Sequence, residues 1–500
     1  MTPFDLASLG SVTTHVEDET WTPERLRQEV AGRAAAYASA GVGRGDRVIL
    51  LHSNTARFFG DLLACWWLGA TVSAMDPTVG GSEFDGLVDE LAPKLVVVDG
   101  GPPEKLTSAA SSIMTIDTRE VGRGRDAPPP ALADLDDAAL VLFTSGSTGL
   151  PKGVVHSFRS LRSKWQTLRA HVPLDLLQTT LCVLPTHFGH GLICNSLYPL
   201  LHGKDLVLLP KADMGTLAAL PEVLDRYQVT FMSSVPAVWR IVLRVCRDKP
   251  KPTLRQVHVG SAPLSAELWR DVRAWTGTDR VWNTYGITET GSWVAGPALD
   301  DPMLEPTDGL VGVGWGAEIA ISSGASMADV DASSPTLPQG EAGYVWLRTA
   351  AAMQRYLNRP EQTADVLQGG WFSTGDIGLL DDRGYLHLTG RARNEINKGG
   401  TKVSPEELDL AIERHPVVME ACAFGVDDKV LGQDIGACIV VAEGQPPPTA
   451  GELMKWLAGQ LSDVKVPRHW YVVEAIPKTS RGKVNREQVA SHCRDLQRLR

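Results

Sequence analysis

The chain has 500 residues, 43% apolar and 21% charged, which is the balance of an ordinary globular protein, and it is too long for one hydrophobic core. That composition excludes a disordered, collagen-like or membrane-spanning chain: the longest nearly apolar run, residues 62–75, holds Gly69 and falls short of the about 20 residues a span needs. A net charge of −11 disfavours non-specific nucleic-acid binding, which requires a basic surface.

Short β-branched runs alternate with amphipathic stretches through the first 290 residues. Strands are predicted at 46–51, 95–99, 139–143, 180–184, 205–209, 230–235 and 256–259, and helices at 58–68, 217–227, 237–246 and 266–275. This alternation predicts mostly parallel sheets covered by helices. From about residue 340 the texture becomes β-rich, with strands predicted at 343–348 and 384–389 joined by Gly/Asp turns. After 391 a compact α+β unit is expected. It has a helix at 405–414 capped by Ser404, strands near 419–425 and 436–442, a helix near 451–461 and a strand at 469–474. Residues 391–500 hold 16 basic and 15 acidic side chains, so the acidic excess lies in the first 390. The fold class is therefore α/β: a large N-terminal body of mostly parallel sheets with a β-rich subdomain, then a small α+β C-terminal domain. The start of the chain, Met1-Thr2-Pro3-Phe4, lacks the basic and apolar segments of a secretory signal, and a cytoplasmic location is expected. Seven scattered cysteines without a CxxC pair read as buried free thiols, not a disulfide framework or a zinc site.

The most informative stretch follows the strand at 139–143. It comprises Thr144, Ser145, Gly146, Ser147, Thr148, Gly149, Leu150, Pro151, Lys152 and Gly153. Glycines let backbone N–H groups approach phosphate oxygens, while the four hydroxyls and Lys152 add donors and charge. The Walker pattern fails, because Lys152 follows Pro151 and precedes Gly153. This run resembles the phosphate-binding signature of the adenylate-forming superfamily, which contains acyl- and aryl-CoA ligases, the adenylation domains of nonribosomal peptide synthetases, and firefly-type luciferases. The other motifs of that family follow in order, and the resemblance covers almost the whole chain.

The resemblance implies residue roles. Gly260, Ser261, Ala262 and Pro263 match the segment that lies against adenine. Tyr285, Gly286, Ile287, Thr288 and Glu289 match Y-G-x-T-E, where the tyrosine packs on adenine, the threonine meets the α-phosphate and the glutamate helps hold Mg²⁺, a hard cation suited to oxygen ligands. Asp376, in a T-G-D match, would bind the ribose hydroxyls, and Arg391 would also reach the ribose. Gly399 and Gly400 resemble the loop lining the thiol tunnel. Lys483, in a P-K-T-x-x-G-K match, takes the place of the catalytic lysine. Domains are implied at 1–391, holding ATP and the acid, and 392–500, a mobile domain carrying Lys483, with a hinge at Arg393, where many relatives have Asp and some have Lys. Proline at that position would fix φ and remove an N–H.

The reaction implied is attack of a carboxylate on the α-phosphate of ATP, giving an acyl-adenylate and pyrophosphate, then displacement of AMP by a thiol. Such chemistry asks the protein mainly for positioning and charge stabilisation. For the acid, the resemblance implies a pocket near the segment at 184–191, with Phe188 at an aromatic or histidine gate flanked by His187 and His190. Gly191 and Ile287 are further pocket residues, and Trp282 and Trp293 are candidate lining of an apolar pocket. No Asp or Glu occurs between Pro185 and Leu200, and an unpaired buried ammonium would be costly, which disfavours α-amino acids. An uncharged acyl or aryl acid is expected, with ATP, Mg²⁺ and coenzyme A as cofactors. Three alternatives stay open: transfer to a carrier-protein phosphopantetheine, a luciferase-like oxygenation, which no residue indicates, and a non-catalytic adenylate-binding regulator, which the presence of both Glu289 and Lys483 disfavours.

Overall fold

The computed structural model describes residues 5–79, 81–100, 113–121, 128–131, 133–144, 151–246, 248–324, 337–398, 401–428, 431–458, 460–478 and 484–499; of Gly81, Ser82, Arg393 and Lys402 only the backbone is described. Among these residues the strands form three hydrogen-bonded sheets.

The first sheet runs in space from Arg355–Tyr356 through Lys152–Ser157, Ala138–Thr144, Thr71–Ala74, Arg47–Leu51 and Leu95–Val98 to Met114–Asp117. It is parallel from Ala138–Thr144 outward and antiparallel at the hairpin that Ala138–Thr144 makes with Lys152–Ser157. Its apolar runs are closed to solvent, with Val48, Val96, Val97, Leu140 and Val154 at 0% exposure, as both faces of a parallel sheet require. The second ladder is parallel through Val12–Thr14, Asp205–Leu208, Thr179–Cys182, Phe231–Ser234, Gln256–Gly260 and Val281–Ile287. It then turns antiparallel through Ser292–Gly296 and Leu310–Gly314 into the β-rich part, Leu386–Arg391, Trp371–Leu380, Gly343–Arg348 and Glu318–Ser322. Val281–Ile287 is the strand at which pairing changes sense. The third sheet, built on Val418–Asp428 and Gly432–Val441, shares no strand pairing with the others.

The predicted strands sit within a few residues of their expected positions. One helix differs: the stretch at 217–227 is two helices, Met214–Ala218 and Leu220–Arg226, meeting at Ala219. Pro221 explains the break, since it has no N–H to continue the ladder and its ring opposes the preceding turn. The helices Pro23–Ser39 and Phe158–His171 were not anticipated. In the first, charges interrupt the apolar stripe: Glu29 and Arg33 are buried and paired, with Arg33 Nε 2.8 Å from Asp61. The residues at 190–197 form a π-helix, His190–Leu197, every side chain of it buried. All seven cysteines are free, and all but Cys246 are buried. No described helix is long and apolar enough to cross a membrane.

Candidate active site

The hairpin sets Thr144 directly opposite Lys152, at adjoining ends of two neighbouring strands. Ser145, Gly146, Ser147, Thr148 and Gly149 lie outside the described residues. The flanks are held tightly. Leu357 N donates to Gly153 O at 2.7 Å and Gln354 N to Val155 O at 2.8 Å, and a Cβ on Gly153 would stand 3.1 Å from Leu357 Cβ. This pairing carries Tyr356 into the site, where its hydroxyl donates to Glu289 Oε1 at 2.8 Å and Lys152 Nζ lies 5.1 Å from its ring centre, within cation–π reach. Glu289, Tyr356, Lys152 and Thr144 thus converge from four separate stretches of sequence.

Glu289 sits on a single 3₁₀ turn, Thr288–Thr290, ended by Gly291 in the left-handed region (φ 67°). Buried side chains brace the carbonyls of this turn from behind. His156 Nε2 donates to Thr288 O at 2.8 Å; burial pushes its pKa down to about 4, so the ring is neutral and serves as a fixed donor. Cys194 Sγ lies 3.3 Å from Gly291 O. Lys164 Nζ donates to Trp293 O at 2.5 Å, and burial lowers its ammonium to about 8. Met353 N donates to Glu289 O at 2.7 Å. Sequence reading missed His156 and Lys164, although Lys164 carries a signal: it lies on the apolar stripe Leu161, Trp165, Leu168, all buried.

At the other end of the site, Gly260 closes the Gln256–Gly260 strand. A Cβ there would stand 2.4 Å from Thr284 O, so only glycine lets the two strand ends meet, and Ser261 follows with φ 65°. Ala262 is half-buried and Pro263 exposed. A Cβ on Gly286 would stand 2.2 Å from Ser292 O, at the bulge where the ladder changes sense. Tyr285 hydroxyl donates to Asp376 Oδ2, and Arg391 Nε lies 2.6 Å from Asp376 Oδ1. Asp376 and Arg391 are direct cross-strand partners, and Asp376 is only 4% exposed. Burial, with the Asp376 carboxylate beside it, holds the Tyr285 phenol well above its ordinary pKa, so it is a neutral donor.

Of the residues expected around the acid, Phe188 is buried, Ile287 is half-buried, and His190 bonds through Nδ1 to Ser261 Oγ (2.9 Å) and through Nε2 to Ser233 Oγ (2.5 Å). Gly191 is a packing position, since a Cβ would lie 2.6 Å from Pro185 O. The start of this segment is fixed by Asn54, whose side chain exchanges hydrogen bonds with Thr186 N and Leu184 O.

Lys483, Gly399 and Gly400 lie outside the described residues, as does the side chain of Arg393, whose backbone is in the 3₁₀ turn Ala392–Asn394. Nearby in sequence, Lys478 pairs with Glu420 at 2.7 Å and Lys398 with Asp434 at 2.8 Å. The C-terminal part contacts the body through Arg240–Glu413 at 2.6 Å, Arg244–Glu443 at 2.9 Å, and Arg414–Asp308. No group of three or more His, Cys, Asp or Glu able to hold a metal occurs among the described residues. Glu289 would offer a metal one carboxylate, an oxygen donor of the kind Mg²⁺ takes.

The described residues thus form two side-chain clusters, Tyr285–Asp376–Arg391 and Lys152–Tyr356–Glu289. The chain belongs to the AMP-binding enzyme family: the model of that description matches residues 7–357, and that of the AMP-binding enzyme C-terminal domain matches 407–483. Among its relatives are a probable CoA ligase of Humulus lupulus, 31% identical across 94% of this chain and 91% of the relative, and the oxalate–CoA ligase of Arabidopsis thaliana, 30% identical across 94% and 93%. Among solved structures, ATP-bound MatB from Rhodopseudomonas palustris is 25% identical, with a TM-score of 0.86 over 98% of this chain and 96% of that one. The chain is an AMP-forming acid–thiol ligase that uses ATP, a carboxylic acid and CoA.

Proposed function

We propose that the acid is an uncharged acyl or aryl carboxylic acid and that the named residues divide the two half-reactions between them. The observation that carries this reading is the convergence of Glu289, Tyr356 and Lys152 beside the phosphate hairpin, with Tyr285, which bonds Asp376, four residues away from Glu289 along the chain. That separation suits a nucleotide with its ribose at Asp376 and its phosphates at Lys152. Mg²⁺ held by Glu289 supplies charge neutralisation when bound. Thr144, Thr288 and Lys152 orient the phosphate oxygens, and the braced 288–293 turn keeps Glu289 from moving as charge shifts. Lys483 would bridge the attacking carboxylate and the α-phosphate in the first step, and Gly399-Gly400 would line the thiol path in the second. Domains divide at Arg391/Ala392, with Arg393 as the hinge. The absence of acidic side chains between Pro185 and Leu200 supports an uncharged acid.

The test is release of pyrophosphate from ATP with a panel of carboxylic acids, followed by addition of CoA or of a phosphopantetheinylated carrier protein. AMP and pyrophosphate in equal amounts, with an Mg²⁺ requirement, are expected. Stoichiometric ADP would refute adenylation, and thioester formation on the carrier but not on CoA would move the acceptor.

A further inference from the structure

Side chains that belong to none of the sequence motifs pack beneath His190. On parallel strands, residues opposite each other share a face, as do residues two apart. Gly260 stands opposite Thr284 at the carboxyl ends of their strands, and His258 stands opposite Trp282 one side-chain step further in, about 6–7 Å along the strand. His190 covers this face through its bonds to Ser261 and Ser233, and Ser233 is the partner of His258 on the next strand. Beneath His190 the face is closed by rings. His258 stacks on Trp282 (5.3 Å between centres, 15° between planes), and Trp293 meets it near-perpendicular at 4.6 Å. All three are at most 1% exposed. Trp293 also belongs to the reacting end of the site, because it is the antiparallel partner of Gly286, and a Cβ on Gly286 would lie 2.8 Å from Trp293 N.

We infer that this floor of rings restricts the enzyme to short acids, and that Trp293 is the residue that sets the length. The inference rests on the proposed function, and it takes the acid's carboxylate to lie beside the Tyr285–Glu289 segment with its tail toward His190. The floor is also uncharged. Arg280 Nε donates to Gln256 Oε1 at 3.1 Å, which turns the Gln256 amide nitrogen toward His258 Nε2 at 2.7 Å, so that nitrogen accepts and the ring's proton is on Nδ1. Burial, with His190 and Arg280 nearby, holds this imidazole well below its ordinary pKa. A second carboxylate on the acid would meet this floor unpaired, at a large desolvation cost.

The experiment measures pyrophosphate release with straight-chain monocarboxylic acids of two to ten carbons, and with malonate, for the wild type, Trp293→Ala and the milder Trp293→Leu. Binding of acylsulfamoyl adenosines of the same lengths, by calorimetry, gives a length profile that needs no turnover. In the wild type, kcat/KM is expected to fall by about tenfold or more from butyrate to octanoate, with malonate below propionate by a similar factor. Trp293→Ala should reverse the butyrate–octanoate order, with Trp293→Leu in between. Equal use of octanoate and butyrate by the wild type would overturn the inference, as would an active Trp293 variant with an unchanged order. Analogues that bind in the expected length order without pyrophosphate release from any acid would uphold the length rule and refute adenylation; a failure of every analogue to bind would refute both.

Discussion

Replacing Asp376 by Asn tests whether the buried carboxylate serves the nucleotide or only the fold. The substitution is isosteric, yet it removes the charge that accepts from Tyr285 hydroxyl and pairs with Arg391. Breaking a fully buried ion pair from one side costs about 3–5 kcal/mol. Here the Arg391 side chain is 31% exposed, so water offsets part of that loss and about 2–3 kcal/mol of stability is expected to go, a fall of about 2–4 °C in Tm for a chain of this size. The nucleotide effect is separate. A ribose hydroxyl bonded to a carboxylate contributes about 1.5–3 kcal/mol, so KM for ATP should rise by about 10–100-fold. Thermal unfolding reads the first number, and ATP–pyrophosphate exchange titrated with ATP reads the second. Tyr285→Phe serves as the control, because it deletes the phenol donor and leaves the Arg391 pair intact, with a stability loss of about 1 kcal/mol. If Asp376→Asn lowers Tm as expected while KM for ATP stays within about twofold, the ribose role is wrong and the carboxylate is structural.

Lys483→Ala should slow adenylate formation by about 10²–10³ while still converting a supplied acyl-adenylate to thioester; equal losses in the two half-reactions would refute the assigned role. Arg393→Pro, by fixing φ near −65°, should leave a folded protein with one half-reaction far more impaired than the other, and wild-type rates in both would place the hinge elsewhere. His156 titrates near 4 when folded and near 6.5 when unfolded, so as pH falls the unfolded chain takes up the proton first. The stability present above pH 6.5 is then lost through the window from 6.5 to 4, by about 2 kcal/mol at pH 5. His156→Gln should flatten that slope in urea unfolding between pH 5 and 7, and an unchanged slope would contradict a buried neutral ring.

What the sequence made legible follows from the kind of residue each task requires. Buried parallel strands show as unbroken apolar runs, and a phosphate loop shows as glycines and hydroxyls at fixed spacing, so the strand at 139–143 and the loop after it could be read from local pattern, while the roles expected of Tyr285, Glu289 and Asp376 came from the family resemblance. Cross-strand registers could not. Nothing near Asp376 in sequence says that Arg391 stands opposite it, or that Tyr356 reaches Glu289 from 67 residues away. The helix Pro23–Ser39 escaped because its inward face carries Glu29 and Arg33, which read as solvent residues until Asp61 is placed beside them. Likewise Trp293 could be counted among many tryptophans, while its role as partner of Gly286 depends on a bulge that only the ladder shows.

The same contrast separates the two sides of the reaction site. Residues that touch the nucleotide must be of a few chemical types, because oxygen ligands, hydroxyl donors and a ribose acceptor are set by the ligand. Residues behind them answer to packing, and this chain uses charged and polar side chains there: neutral His156 and the Lys164 ammonium, both fully buried, anchor the turn that presents Glu289. Burying a lysine without a carboxylate partner lowers its pKa to about 8 and costs stability. The body's contacts with the C-terminal part follow a comparable logic. Burial raises Glu413 to about 7, so near neutral pH its pair with Arg240 sits close to break-even between Coulomb gain and desolvation. An ion pair at that balance holds an orientation at small net energy, which would suit the hinge proposed at Arg393.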